Sequence, residues 1–369
     1  MGYDTDVFIV GGGPAGLAAG IALRARGFRV IVADGVAPPI TKACGEGLLP
    51  DGLAALRELG VELQESDGFP LRGIRFEDSG ASVRAEFPIG QGLGVRREVL
   101  HQRMLERARD CGVTFMWNTP ITGLRHGGVV VAGGTEIRVR WVIGADGSRS
   151  RVRQWSGLEN LAADKGRSAY RQHFRAKPWT DFTEIYWADG AQAYVTPVGS
   201  EEICVAIISS NPNERVGEAL RSFPKLAGLL QGAALASRER GARTGMFGLK
   251  QVFRGNIALI GDASGGVDAI TGEGLCLGFR QAAALADALA RGTLEGYQAA
   301  HRRLFRRPRF MGNLLLLMNR RAGVRKRTMR AMEAAPHLFE GMLAYHVGAA
   351  RLLQLATTGT LLGLRFLAA

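Results

Sequence analysis

Runs of consecutive apolar residues, rather than alternating ones, set the frame of this chain. Residues 7–10 (Val-Phe-Ile-Val), 141–143 (Trp-Val-Ile) and 257–260 (Ile-Ala-Leu-Ile) are short, rich in β-branched side chains and unbroken by polar positions. Such runs belong to strands covered on both faces, as in a parallel sheet. Each is followed by glycine and then by a stretch of helical composition: residues 17–26, 149–153 and 276–289. A further apolar run at 28–33 follows the first helix. Elsewhere the pattern changes. Residues 69–89 alternate apolar and polar positions with Gly and Pro breaks, as strands and hairpins do. Similar strand-like runs recur at 170–174, 183–187 and 203–208, and residues 214–223 read as a helix. From residue 301 onward the spacing is helical, with Phe310, Met311 and residues 314–318 supplying apolar faces.

The first of these units carries candidate chemistry. The strand at 7–10 runs into Gly11, Gly12, Gly13, Pro14, Ala15 and Gly16, a GxGxxG pattern in glycines 11, 13 and 16. Gly11 allows the tight turn, Gly13 lets backbone N–H groups approach a pyrophosphate, and Gly16 lets the helix pack close to the strand. The helix start adds partial positive charge for a phosphate. Asp34 ends the second strand, where an acid accepts hydrogen bonds from an adenosine ribose. Strand, glycines, helix, strand and acid in this order define a dinucleotide-binding unit without deciding which dinucleotide.

Two later turns repeat the theme of glycine beside an acid. Gly144, Ala145, Asp146 and Gly147 end the second run, and Gly261 and Asp262 end the third. A glycine-rich stretch from Asp268 then leads through Gly272 and Glu273 to Gly274, Leu275 and a helix. These motifs, in this order over residues 1–300, resemble the flavoprotein monooxygenase superfamily with the para-hydroxybenzoate hydroxylase fold. The resemblance implies FAD as the cofactor. It implies that Asp262 contacts the ribityl chain and that Asp146 and Gly147 serve the FAD and the approach of NAD(P)H. Gly272, Gly274 and Leu275 would then lie near the flavin pyrimidine ring. The family also has an Arg followed three residues later by Leu at a helix start. Arg97 and Leu100 fit, with Arg96 as a competitor, and the guanidinium would pair with phosphate or ribose oxygens.

Within the superfamily, Lys42, Ala43, Cys44, Gly45, Glu46 and Gly47 resemble the Lys-x-Cys-Gly-Gly-Gly segment of geranylgeranyl reductases, with Glu46 in place of the middle glycine. Backbone there passes close to the flavin, so glycine is favoured. Cys44 is either a functional thiol or a small buried residue. Tyr194, Val195, Thr196 and Pro197 stand where those reductases carry Tyr-x-Trp-x-Phe-Pro and halogenases Trp-x-Trp-x-Ile-Pro. The missing tryptophan counts against a halogenase. Tyr194, Thr196, Pro197 and His173 are substrate-side candidates. Tyr194 and His173 are also candidate bases, against the alternatives of a cavity wall and a satisfied sheet residue. The whole looks most like bacterial flavoproteins of polyketide and lipid pathways.

The expected fold is therefore α/β. A Rossmann-type, glutathione-reductase-like FAD-binding domain would occupy residues 1–66, 94–165 and 250–300. A mostly antiparallel substrate domain is expected at 67–93 and 166–249, and a helical region at 301–369. The leading expectation is an NAD(P)H-dependent monooxygenase that hydroxylates a hydrophobic aromatic or phenolic, polyketide-like substrate through a flavin hydroperoxide. The alternatives are a reductase of an isoprenoid or quinone double bond and a membrane-associated flavin electron-transfer protein.

Composition changes this picture little. The chain has 369 residues, 46% of them hydrophobic, enough for a large core without staples. The net charge of +13 favours anionic partners, and much of the surplus lies between Arg302 and Arg327. An Arg-rich solvated helix face is the plain reading of that region, and peripheral membrane contact the functional one. No nucleic-acid signature is present. Cys44, Cys111, Cys204 and Cys276 are scattered and the histidines lack ligand spacing, so neither a metal nor a disulfide framework is expected. This fits a cytoplasmic, possible membrane-peripheral location, with no secretory signal. Residues 352–369 are apolar but broken by Gln354 and Arg365, which suits a core or surface helix better than a span.

Overall fold

The computed structural model describes residues 2–125, 127–159 and 166–350. Its fold is mixed α/β, built on two large sheets, with helices at the C-terminal end. In the first sheet the strand Thr5–Val10 pairs in parallel with Thr135–Gly144 on one side and with Val30–Ala33 on the other. Thr114–Met116 and Ile257–Leu259 extend the parallel array, and Phe253–Arg254 closes one edge antiparallel. Val7, Phe8 and Ile9 are all fully buried. That is why this strand has no polar position to alternate with. The helix Pro14–Arg24 has its proline in the first turn and packs against Arg97–Asp110 and Gly274–Ala290.

The second sheet roofs the first. Its strand order is Ala234–Leu235, Arg167–Arg175, Glu202–Ser209, Ala191–Gly199, Phe182–Ala188, Gly73–Asp78 and Ala81–Glu86, with Arg240–Thr244 also beside Arg167–Arg175. All pairings are antiparallel except that of Phe182–Ala188 with Gly73–Asp78, which joins two distant stretches of sequence in one sheet. Side chains alternate between its faces. Ile203, Val205 and Ile207 pack with Val216, Phe223 and Leu226 on the outer side. Ala206 and Ile208 point the other way, into the cluster formed with the C-terminal helices.

The single helix expected over 214–223 is broken. Val216–Ala219 passes into a 3-10 turn at Leu220–Ser222, and a new helix runs Pro224–Leu229. Phe223 sits at φ −128°, ψ 67°, because the ring of Pro224 disfavours the helical region for the residue before it.

Helices Glu295–Arg320, Ala322–Ala334 and His337–His346 cover the inner face of the roof. Phe76 of the roof meets Phe339 at 4.7 Å and Trp187 at 5.5 Å between ring centroids. Burying each such side chain contributes about 1.5–3 kcal/mol, so these helices are part of the core. Their arginines divide into two sets. Arg302, Arg303, Arg306 and Arg309 are exposed, as a solvated face requires. Arg325 instead is buried and pairs with Asp78 at 2.8 Å and with Asp189 at 2.9 Å. Among the described residues no helix is long and apolar enough to cross a membrane. The apolar stretch at 352–369 lies outside them.

Candidate functional site

Steric demand explains the first glycines. Gly11 has φ +110°, and a Cβ on it would lie 2.5 Å from the Ala145 carbonyl oxygen. A Cβ on Gly16 would lie 1.9 Å from the Gly11 oxygen, so helix and strand could not approach as they do. Gly13 differs: a Cβ there meets nothing within 4 Å, because the position faces a cavity. Asp34 steadies the loop by accepting the Gly12 N–H at 2.8 Å. His101, fully buried, contributes from the third side, its Nε2 donating to the Gly12 carbonyl at 2.9 Å. Burial pushes the His101 pKa down, the neighbouring Arg97 charge adds to this, and the Gly12 bond only partly opposes it.

One turn before His101, Arg97 reaches the cavity wall, and its Nε is buried without a partner. Arg96, the competitor, is ion-paired with Glu202 and Glu98. The acids behave in different ways. Asp146 lines the cavity but also caps the short helix Arg151–Trp155, accepting N–H bonds from Arg151 at 2.7 Å and Val152 at 3.2 Å. Asp262 pairs with Lys42 at 2.6 Å on the wall. Asp268 forms a buried ion pair with Arg167 of the roof, which ties the last glycine turn to the sheet. Gly272 then takes φ +67°, and Gly274 opens the long helix Gly274–Ala290 toward the cavity, with nothing within 4 Å of its Cβ direction.

Most of the positions proposed for the cofactor bound one cavity of about 650 Å³. Gly11, Gly13, Pro14, Ala15, Asp34 and Arg97 line one end, together with Asp146, Gly147 and Asp262. Cys44, Gly45, Gly47, Gly272, Gly274 and Leu275 also lie on its wall. Gly16 does not, and acts through helix packing. Other parts of the wall are apolar: Ile74, Phe76, Ile185 and Ile208 from the roof, and Met311, Leu315, Phe339 and Met342 from the C-terminal helices. Patterning alone gave no sign that residues beyond 301 would wall the site.

The substrate-side candidates are spread differently. Tyr194 and Thr196 line the cavity, whereas Pro197 and His173 are not on its wall. Tyr194 donates its hydroxyl proton to the Ile270 carbonyl at 2.6 Å, and burial pushes its phenol well above the ordinary range. Its hydroxyl proton is thus engaged within the wall. His173 is completely buried. Arg171, which can only donate, meets its Nδ1 at 2.8 Å, so Nε2 carries the proton that goes to Glu46 at 2.6 Å.

Glu46 is the hub of that network. Its φ of +58° is left-handed, which accounts for a glycine at this place in the resembling segment. Its carboxylate accepts from the Arg97 N–H at 3.1 Å and faces Arg171 at 3.7 Å. Burial raises the Glu46 pKa, but the hydrogen bond from His173 and the charge of Arg171 outweigh it and hold the carboxyl below its ordinary value. Cys204 stands beside Glu46 and His173, close enough for the three to be a candidate cation site. Two facts oppose that use: the Arg171 guanidinium is already there, and burial pushes the Cys204 thiol well up. Cys44 is half-buried on the cavity wall, its sulfur accepting the Glu46 N–H at 3.4 Å.

A second buried cluster carried no signal in the motifs. Glu273 precedes the helix Gly274–Ala290 and is almost completely buried. Arg307 donates to it at 3.2 Å and to Asp51 at 2.8 Å. His346, the last residue of helix His337–His346, lines the cavity and lies 3.5 Å from Glu273. Burial raises the Glu273 pKa against the opposing charges of His346 and Arg307.

The open glycine positions, the unpartnered Arg97 Nε and the helix N-terminus at Gly274 together fit an FAD: anionic phosphates at one end and an electron-rich ring at the other. A Rossmann-type sheet with that cradle, roofed by a second sheet, defines an FAD-dependent oxidoreductase. Residues 4–304 match the FAD binding domain family, and the chain belongs to that family. Among curated relatives, a menaquinone reductase of Mycobacterium tuberculosis is 28% identical over 312 residues, covering 76% of each chain. A ubiquinone hydroxylase of Rhodospirillum rubrum is 26% identical over 77% of this chain and 72% of its own. In structure, a flavoprotein/dehydrogenase from Cytophaga hutchinsonii superposes with a TM-score of 0.85 at 17% identity, covering 98% of this chain and 99% of that one. The wider set of relatives includes reductases of digeranylgeranylglycerophospholipid as well as monooxygenases.

Proposed function

We propose that the protein is an FAD-dependent reductase of an isoprenoid or quinone double bond, acting on a long, hydrophobic substrate. The observation that carries this reading is the apolar part of the cavity. It is walled by branched side chains of the roof and by the methionines and phenylalanine of the C-terminal helices. Unbranched methionine side chains adapt to irregular hydrocarbon shapes. The menaquinone reductase relative and the Lys42–Gly47 segment favour the same reading. So does the engagement of Tyr194 with Ile270, which removes one base that phenol hydroxylation would use. The leading expectation from sequence, hydroxylation, thus becomes the second reading; the similarity to a ubiquinone hydroxylase favours it.

FAD, when bound, supplies the electron pair, replenished by NAD(P)H from solution. The chain does the rest. Backbone N–H groups at Gly13 and the Arg97 guanidinium hold the phosphates, and the helix N-terminus at Gly274 favours negative charge beside it. The hydrophobic wall excludes water and aligns the substrate. Cys44 and Thr196 border this space, and their place is in substrate positioning. On the outer surface, helix Glu295–Arg320 exposes Phe310 and Leu317 on the face of Arg303 and Arg306. That composition suits peripheral contact with a membrane, where such substrates reside.

The reading predicts that the photoreduced protein reoxidises slowly in air and that phenols leave the rate unchanged. Stopped-flow absorbance decides this. Rapid reoxidation, accelerated by one phenol that becomes hydroxylated, would move the assignment to the monooxygenase reading.

A further inference from the structure

We propose that His346 and Glu273 form a proton relay that delivers the proton needed by the substrate, a step that rests on the reductase reading above. The inference comes from two atoms. His346 Nδ1 and Glu273 Oε2 are both buried, both lack a hydrogen-bond partner, and they face each other at 3.5 Å. Leaving such atoms unsatisfied is costly, so a proton shared between them is favoured.

The rest of the geometry sets the direction of transfer. His346 Nε2 lies 3.0 Å from the Thr271 carbonyl oxygen, which can only accept, so Nε2 carries a proton. Thr271 and His346 both line the cavity. Two arrangements then satisfy the pair: a neutral imidazole accepting at Nδ1 from a protonated Glu273, or an imidazolium beside a carboxylate. Both lead to one end state. The Nε2 proton passes to the substrate, which displaces the Thr271 contact. Nδ1 keeps or gains the proton that faces Glu273, and Glu273 is left as a carboxylate. The substrate double bond gains this proton at one atom. At the other it gains the electron pair and second hydrogen supplied by the bound cofactor, so the bond is reduced and the cofactor oxidised. Water restores the lost proton.

The surrounding charges are balanced for such a cycle. Arg307, from the long helix, donates to Glu273 Oε1 and to Asp51. Asp51, on helix Pro50–Glu58, also faces Arg280 at 3.5 Å and accepts from the Cys276 thiol, both of these from helix Gly274–Ala290. Burial disfavours a charged Glu273, His346 and Arg307 oppose this effect, and the balance lifts the carboxyl above its ordinary range. His346 reaches this cluster only because three C-terminal helices fold back over the cavity.

Two readouts test the relay. In the first, histidine side-chain nitrogen NMR is recorded on the FAD-loaded protein across pH for wild type, Glu273→Gln and His346→Asn, the last to assign the signal. The relay requires that Glu273→Gln move the His346 titration; an unmoved His346 overturns it, whatever the substrate is. In the second, the anaerobically reduced proteins are mixed with a prenylated quinone, the product being counted only when two hydrogens stay on carbon after the ring is reoxidised, or, separately, with ferricyanide, which takes electrons without a proton on carbon. The ratio of the two rates should fall about a hundredfold or more in His346→Asn and Glu273→Gln. An unchanged ratio in variants of a wild type that does reduce the quinone sinks the relay alone. A wild type that reduces no such acceptor sinks the reductase reading instead, and the NMR result stands apart.

Discussion

Gly13→Ala removes FAD affinity while leaving the apoprotein folded, and Gly16→Ala damages both. A methyl group on Gly13 points into open cavity, so it strains nothing in the chain itself. It does occupy the space through which a pyrophosphate approaches the backbone N–H groups. A hundredfold loss in FAD affinity, about 2.8 kcal/mol, is the expected scale. Gly16 is the opposite case. Its added Cβ would meet the Gly11 carbonyl oxygen at 1.9 Å, and backbone cannot rotate out of the way. Forcing extra atoms into a packed site costs about 1–3 kcal/mol, here at the joint between the first strand and the helix that carries the phosphate site. Fluorescence titration of apoprotein with FAD, paired with urea unfolding of the apoprotein, separates the two outcomes. If Gly13→Ala bound FAD as wild type does, the assignment of that loop to the cofactor would fail.

Glu46→Ala should destabilise the protein by about 3–5 kcal/mol, the cost of breaking one side of a buried ion pair. It leaves the buried Arg171 guanidinium without its counter-charge and the His173 Nε2–H without its acceptor. Glu46→Gly loses the same bonds but relieves a left-handed backbone worth about 1–2 kcal/mol. Glycine should therefore be less damaging than alanine at this position, the reverse of their order in a helix. The effect depends on pH in a definite sense. Because the folded Glu46 carboxyl lies below its ordinary 4.5, its contribution is complete above 4.5 and is lost as pH falls through the lower folded value. Wild type and Glu46→Ala should differ most near neutrality and converge in acid. Parallel stability curves across that range would show that Glu46 acts through packing alone.

What was legible in the sequence was local. Glycines 11, 13 and 16 and Asp34 fall within one strand–helix–strand unit, where Gly16 packs on Gly11 and Asp34 holds the Gly12 N–H. Glu46 also left a trace: a non-glycine residue where the resembling segment has glycine marks a left-handed position that needs compensation. What was not legible depends on distant pairings. The roof is continuous only because Phe182 pairs with Gly73 in a parallel register that no local alternation encodes. Arg307 and Arg325 looked like neighbours on a solvated basic face, yet each turns inward to acids contributed by remote elements. His346 and Glu273 carry no shared motif, and only the fold-back of the last helices brings them together. The end at Phe223 was the exception: Pro224 stood in the sequence and stops a helix at the residue before it.

The most direct measurement of where the electron pair goes is a single anaerobic turnover: protein carrying reduced FAD is mixed with a prenylated quinone or a geranylgeranyl lipid, and the product is weighed by mass spectrometry. Expected are reoxidised FAD and a product with two more hydrogens on carbon, retained after any quinol is reoxidised to quinone, formed without oxygen. No turnover until oxygen is admitted, followed by a product with one more oxygen atom, would contradict the reductase reading.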